Sequence, residues 1–115
     1  MPITDTVQVV KDKFLLIVCK TLNPFVDLQL LQVASGHLLP VNGAADINVA
    51  DSFKKIHADD KKNGTHNVDF IVNHILLGVQ DLGYSTSLSA GALITGDLPT
   101  LGDIVNELAS GAAPI

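Results

Sequence analysis

A short polar segment near the middle of the chain carries side chains of the types that bind metal ions. Nitrogen and oxygen ligands would come from His57, Asp59, Asp60 and His66. Their spacing matches none of the sequence signatures of zinc sites. We therefore predict exposed loop residues here and no bound metal. His74, further along the chain, is interpreted as a residue at the rim of the core and not as a catalytic base.

The same segment does not match the pattern of a calcium-binding loop. If Gly64 takes the sixth position of such a loop, Asp59 falls first, but a lysine, Lys61, falls third. Phe70 then stands where the loop requires a bidentate glutamate.

The sequence also lacks a Gly-rich phosphate loop, a nucleophile elbow and a Cys–His pairing. Since Cys19 lies in the apolar run FLLIVC, we expect an inert buried thiol, and we predict that the chain is not an enzyme.

Composition and charge restrict the class of partner. The 115 residues are 47% hydrophobic and carry a formal net charge of −5, which predicts a single domain over residues 1–115 with a substantial core. This acidity argues against nucleic acid, because no basic patch is available to neutralise phosphates. It favours the basic surface of a partner protein. We expect leftover apolar surface to serve a partner or self-association.

The same features bear on location. The only cysteine is Cys19, so no internal disulfide can form and the cytoplasm is the expected compartment. No apolar stretch approaches the roughly 20 residues that span a bilayer. Asp5 precedes the first lysines and the apolar run is short, so we expect no signal peptide.

The most strongly patterned segment of the chain is a helix predicted over residues 67–83, directly after the polar segment that carries His57, Asp59, Asp60 and His66. Its apolar stripe recurs at spacings of three and four: Val68, Val72, Ile75, Val79 and Leu82. Phe70, Ile71 and Leu76 widen the stripe, which leaves as the outward residues Asp69, Asn73, Gln80 and Asp81. We expect Asn67 to cap this helix and Gly83 to end it. A helix this apolar is normally buried, so we predict that it forms the centre of the fold.

Two amphipathic helices are predicted at the ends of the chain. The first is capped by Thr4 or Asp5 and ends at the Asn23–Pro24 pair. The last begins at Thr100, with Asp103 three residues later in a variant of the capping box. A frayed tail should follow it.

The middle of the chain is less clearly patterned. Residues 23–36 fit a second helix from Pro24 to Gly36, although the alternation over residues 26–30 fits a short strand equally well. We expect a loop over residues 37–46, a weak irregular segment over 47–58, and an exposed loop over 59–66. Residues 84–98 have room for a short helix around residues 88–93. The predicted fold class is all-α, a bundle of four or five helices.

Three segments together resemble an acyl carrier protein. Residues 99–108 (PTLGDIVNEL) are similar to the family's last helix, which opens with a threonine and runs as an apolar stripe. Residues 76–85 are similar to the end of its second helix. Residues 47–60 (INVADSFKKIHADD) are similar to the loop that precedes the family's attachment serine.

The resemblance implies a small helical bundle whose serine, at the start of the second helix, carries a 4′-phosphopantetheine arm. In one alignment Asp59 matches the attachment motif's aspartate and Asp60 takes the serine position, so that no arm could be attached. In a second alignment Asp51-Ser52-Phe53 is the motif and Ser52 carries the arm. Alternatively, Ser52 is simply a helix N-cap.

The resemblance also implies how such a domain would act. It would present an acyl group to fatty-acid or polyketide-type enzymes, or dock on them without an arm. Acidic side chains, Asp59, Asp60 and Asp69, would meet the basic surface of the partner enzyme. The competing interpretation is a non-catalytic helical interaction module unrelated to carriers.

Overall fold

Helices dominate the computed structural model, which describes residues 7–115. Its five α-helices are α1 (Val7–Leu22), α2 (Ala50–Asn63), α3 (Asn67–Asp81), α4 (Ala90–Thr95) and α5 (Leu101–Ser110). Four short strands are also present: β1 (Leu31–Ala34), β2 (His37–Pro40), β3 (Tyr84–Ser85) and β4 (Ala113–Pro114). The mostly helical architecture is therefore confirmed. The chain also forms two small antiparallel sheets, which the predicted all-α class did not include.

Helix α3 lies in the core, as its apolar pattern predicts. Its buried side chains are Val68, Ile71, Val72, Ile75 and Val79. The outer face is less polar than predicted, because Phe70 is 47% exposed and Leu77 is 55% exposed. Asn67 is the first helical residue and not the cap, since its backbone N–H bonds to the carboxylate of Asp60.

Helix α1 packs against both α3 and α5 and closes the other side of the core. It buries Phe14, Val18, Cys19 and Leu22. It approaches α3 closely at Gly78, where an added Cβ would lie 2.7 Å from Cγ2 of Ile17. The predicted caps of this helix, Thr4 and Asp5, lie outside the described residues.

A β-hairpin replaces the helix predicted over residues 23–36. β1 pairs with β2 in register from Leu31↔Pro40 to Ala34↔His37. The two-residue turn consists of Ser35 (φ 53°) and Gly36 (φ 76°); positive φ at both central positions defines the type I′ turn whose twist suits a hairpin. The first strand therefore begins at Leu31, after residues 26–30, which were the alternative prediction of a short strand. The loop predicted over residues 37–46 is wrong over His37–Pro40, where β2 forms.

Helix α2 occupies the segment predicted to be irregular and then exposed loop. Phe53, Ile56 and Asp60 form its buried stripe against α3 and α4. The helix has an acidic residue in its first turn, Asp51, and two lysines in its last turn, which complements the helix dipole. It ends at Gly64 in the left-handed conformation. Only the few residues after Gly64 form the exposed loop, so the prediction of a loop over residues 59–66 is wrong.

The C-terminal part follows its local signals more closely. The short helix α4 forms near the predicted position, and α5 begins with a full capping box between Thr100 and Asp103. The tail is not frayed, because Ala113 and Pro114 pair with Ser85 and Tyr84. Among residues 7–115, no helix is long and apolar enough to cross a bilayer.

Candidate functional site

Ser52 lies in the first turn of α2, two residues after the helix begins. Its side chain is not the N-cap; Asn48 Oδ1 instead accepts from the backbone N–H of Ala50, at 3.0 Å. Within the described part of the chain the Ser52 hydroxyl makes no hydrogen bond. Ser52 is partly buried, and without a hydrogen-bonded base its hydroxyl is not an activated nucleophile by itself.

A groove of about 340 Å³ runs beside Ser52. Its walls come from α2 and from the turn that follows α1: Phe25, Val26, Asp27, Leu28, Ser52, Lys55, Ile56 and Asp59. The α2 residues of this set share one helical face, because their spacings are three and four. The Asn23–Pro24 pair ends α1 and turns the chain back toward α2, which brings the apolar wall against this face.

Asp59 lies at the far end of the groove and pairs with Lys55 at 3.4 Å. Both side chains are half or more exposed, at 50% and 80%, so the pair contributes little to stability. Its carboxylate therefore remains accessible to a charged partner. The structure thus brings Ser52 and Asp59 together on one surface.

Asp60 is only 9% exposed and points the other way, into the junction between α2 and α3. Its carboxylate accepts hydrogen bonds from the Thr65 hydroxyl at 2.6 Å and from the backbone N–H groups of Asn67 (3.0 Å) and Val68 (3.1 Å). Burial alone would raise the pKa of Asp60. The three hydrogen bonds and the nearby charge of His66 outweigh it and hold the pKa below its usual value. Asp60 is an internal cap for α3.

Asp69 lines a different cleft from Ser52, of about 340 Å³, between α2, α3 and α4. His57, Asp60, Lys61 and His66 contribute to the same cleft. The predicted site residues therefore divide into two surfaces: Ser52 and Asp59 on one, Asp60 and Asp69 on the other. Among the described residues no three metal-ligating side chains cluster closely enough to hold a metal ion.

An aromatic cluster beside the groove was not predicted. Phe70 stacks on His74 with ring centroids 4.0 Å apart, and Phe25 approaches Phe70 at 6.0 Å. The i,i+4 spacing of Phe70 and His74 could have indicated their contact. Phe25 is distant in sequence, so only the tertiary structure shows that the cluster continues into the wall of the Ser52 groove.

The remaining candidates have simpler environments. Burial raises the pKa of the Cys19 thiol to about 11, so this cysteine is inert at neutral pH. The cleft between α1 and the hairpin is larger, about 570 Å³, and lined mostly by apolar side chains such as Leu16, Leu39 and Val41. Asp12 and Lys13 are the charged residues in its lining.

Comparison with protein-family models, with curated proteins and with solved structures gives no significant match for this chain. Its function must therefore be argued from the geometry described above.

Proposed function

We propose that this chain is an acyl-carrier-like domain in which Ser52 carries a 4′-phosphopantetheine arm and the neighbouring surface docks on a partner enzyme. The observation that supports it is the position of Ser52 in the first turn of the second helix. The resemblance requires a serine at this place. Helix α2 runs on from Ser52 to Asn63, over a segment that the sequence predicted to be irregular and then an exposed loop.

The other alignment has less support. It assigns the attachment position to Asp60, whose carboxylate is buried and already accepts three hydrogen bonds. A residue committed to capping α3 is a poor docking group as well. Asp60 is therefore left out of the proposed site, and Asp59 is kept.

The surroundings of Ser52 suit an arm of this kind. When attached, the arm supplies a thiol that holds an acyl group as a thioester. Phe25, Val26 and Leu28 offer an apolar wall next to the serine, while Asp27 and Asp59 add negative charge against a single lysine, Lys55. We expect these carboxylates, together with the exposed Asp51, to steer association with a basic enzyme surface.

The test is the intact mass of the protein after incubation with a broad-specificity phosphopantetheinyl transferase, coenzyme A and Mg²⁺. We expect the mass of one phosphopantetheine group to be added to the wild type and to Ser87→Ala, a control at an exposed loop serine, but not to Ser52→Ala. No gain in the wild type would refute the arm. A gain that persists in Ser52→Ala would refute the site.

A second candidate is a non-catalytic interaction module that needs no arm. It is favoured by the apolar outer face of α3, where Phe70 and Leu77 are about half exposed beside His74. Binding to an immobilised carrier-dependent condensing enzyme separates the two candidates. Docking as a carrier predicts binding that weakens with added salt and with Asp59→Lys, since a rim charge steers association. An unrelated module predicts no binding to that enzyme.

A further inference from the structure

The hairpin β1–β2 leaves much of its apolar surface uncovered. Val33 is 76% exposed and Leu38 is 43% exposed. These two residues are cross-strand partners, so they share one face of the sheet. A two-stranded hairpin is marginally stable on its own and is normally extended by further strands or covered by packing. The described chain supplies no third strand to this sheet.

The backbone pairing shows which groups point outward from β1. The backbone N–H of Val41 donates to the carbonyl of Leu30 at 3.0 Å, so residues 30 and 41 form a hydrogen-bonded pair. Hydrogen-bonded and non-hydrogen-bonded pairs alternate along an antiparallel ladder. Gln32 with Leu39 and Ala34 with His37 are therefore also hydrogen-bonded pairs. The N–H and C=O groups of Leu31 and Val33 therefore point away from β2.

The opposite edge of the hairpin is less suited to pairing. Pro40 has no N–H, and its carbonyl already accepts from the Gln32 side-chain amide at 3.3 Å. β2 is also the strand that lies against α1. β1 is therefore the open edge, with two residues whose donors and acceptors both face outward.

Charge indicates what could cover this edge. Residues 28–45 contain no Asp, Glu, Lys or Arg, although the whole chain has a net charge of −5. Natural edge strands are usually protected from pairing by charged residues, and β1 has none. Two copies of an acidic chain repel each other least when they approach through surfaces that carry no charge. The edge of β1 is such a surface, and it has no charge with which to attract a basic partner.

We propose that the edge of β1 binds β1 of a second copy of this chain, which gives a four-stranded antiparallel sheet in the order β2-β1-β1-β2. The best register places Leu31 opposite Val33 of the other copy and Gln32 opposite Gln32 on the twofold axis. All four outward N–H groups are then paired. On the exposed face of this sheet, apolar side chains then form two continuous rows across the four strands. Each row runs from Leu38 and Val33 of one copy to Leu31 and Pro40 of the other.

The first test is the mass of the full chain in solution, measured by light scattering or sedimentation up to about 1 mM, where even a weak complex is populated. We expect the average mass to rise with concentration from 12.1 kDa toward twice that value. Val33→Pro removes an outward N–H without breaking the β1–β2 ladder, and Val33→Lys adds a charge to the edge. Both variants should stay at the mass of one chain.

The matched control is Leu77→Lys, which makes the same kind of change at an exposed apolar residue on α3 and should still dimerise. Far-UV circular dichroism confirms that each variant remains folded. A wild type that stays at 12.1 kDa at the highest concentration would overturn the proposal. So would a dimer that survives both changes at Val33, or one abolished equally by Leu77→Lys.

A disulfide test addresses the register. Residues directly opposite in a non-hydrogen-bonded pair have Cα atoms roughly 4.5 Å apart, within reach of a disulfide. Gln32→Cys should therefore oxidise to a covalent dimer. Gln29→Cys should not, because in this register the two copies of residue 29 lie about 20 Å apart along the strands. The native Cys19 is buried and should not compete. Equal crosslinking of the two variants would refute the register.

Discussion

Replacing Asp60 by asparagine removes a charge from the junction between α2 and α3 while nearly keeping the shape of the side chain. The carboxylate accepts three hydrogen bonds, two of them from backbone N–H groups at the start of α3. An asparagine keeps one acceptor oxygen, and its amide N–H would face one of these donors. Hydrogen bonds to a charged group are worth about 1.5–3 kcal/mol, and loss of a helix cap costs about 0.5–2 kcal/mol. We therefore expect a loss of about 2–4 kcal/mol in the free energy of unfolding.

The effect should depend on pH with a defined sign. The pKa of Asp60 is lower in the folded state than its usual value, and an unfolded aspartate has a pKa of about 3.9. Its stabilisation is therefore fully present above about pH 4 and is lost as the pH falls through the folded-state pKa. Since Asp60→Asn lacks this ionisation, the difference between wild type and variant should shrink at low pH.

Urea unfolding followed by circular dichroism at 222 nm, from pH 7 down to pH 3, measures both effects. Asp59→Asn is the matched control, one residue away on the same helix. It breaks only the exposed pair with Lys55 and should change stability by less than about 1 kcal/mol. If the two variants lose the same stability at pH 7, or if the Asp60→Asn difference stays constant with pH, the capping role of Asp60 is refuted.

Two further predictions concern the packing and the end of helices. Gly78→Ala places a Cβ 2.7 Å from Cγ2 of Ile17, a rigid atom of that side chain; the clash should exceed the gain of about 1 kcal/mol in helix propensity and destabilise the fold by about 1–3 kcal/mol. In a double-mutant cycle, Ile17→Ala should cost less stability in the Gly78→Ala background than alone, and additive effects would contradict the clash. Thr100→Ala should remove the capping box with Asp103 and lower stability by about 1 kcal/mol in thermal unfolding. Thr100→Ser should retain most of it, so equal losses would count against the capping role.

Several elements could be predicted because their signals are local. The apolar stripe of α3 recurs at helical spacing, and the Thr100–Asp103 pair is a helix start that needs no distant partner. Gly36 was interpreted as the end of a helix and not as part of a hairpin turn, because the apolar residues before it, over residues 26–30, fit a helix and a strand equally well. Local pattern could not decide between them, because the choice depends on which long-range contacts the strands make.

The candidate site was predicted only in part. The sequence indicated Ser52 and Asp59 as single residues, but not that both lie on one face of α2 next to Phe25. It also suggested an exposed loop for Asp60. A carboxylate in a polar run gives no sign that its hydrogen-bond donors come from the start of the following helix.

The amino-acid sequence by itself determined the helices whose apolar residues repeat with a strong period or whose caps lie within one turn, because those preferences act between residues that are close along the chain. It also determined the formal net charge of −5. Only the tertiary structure decided the hairpin, the helical state of α2 and the burial of Asp60. Each of these depends on partners distant in sequence or in a neighbouring element, whose hydrogen bonds and apolar contacts outweigh a weak local preference.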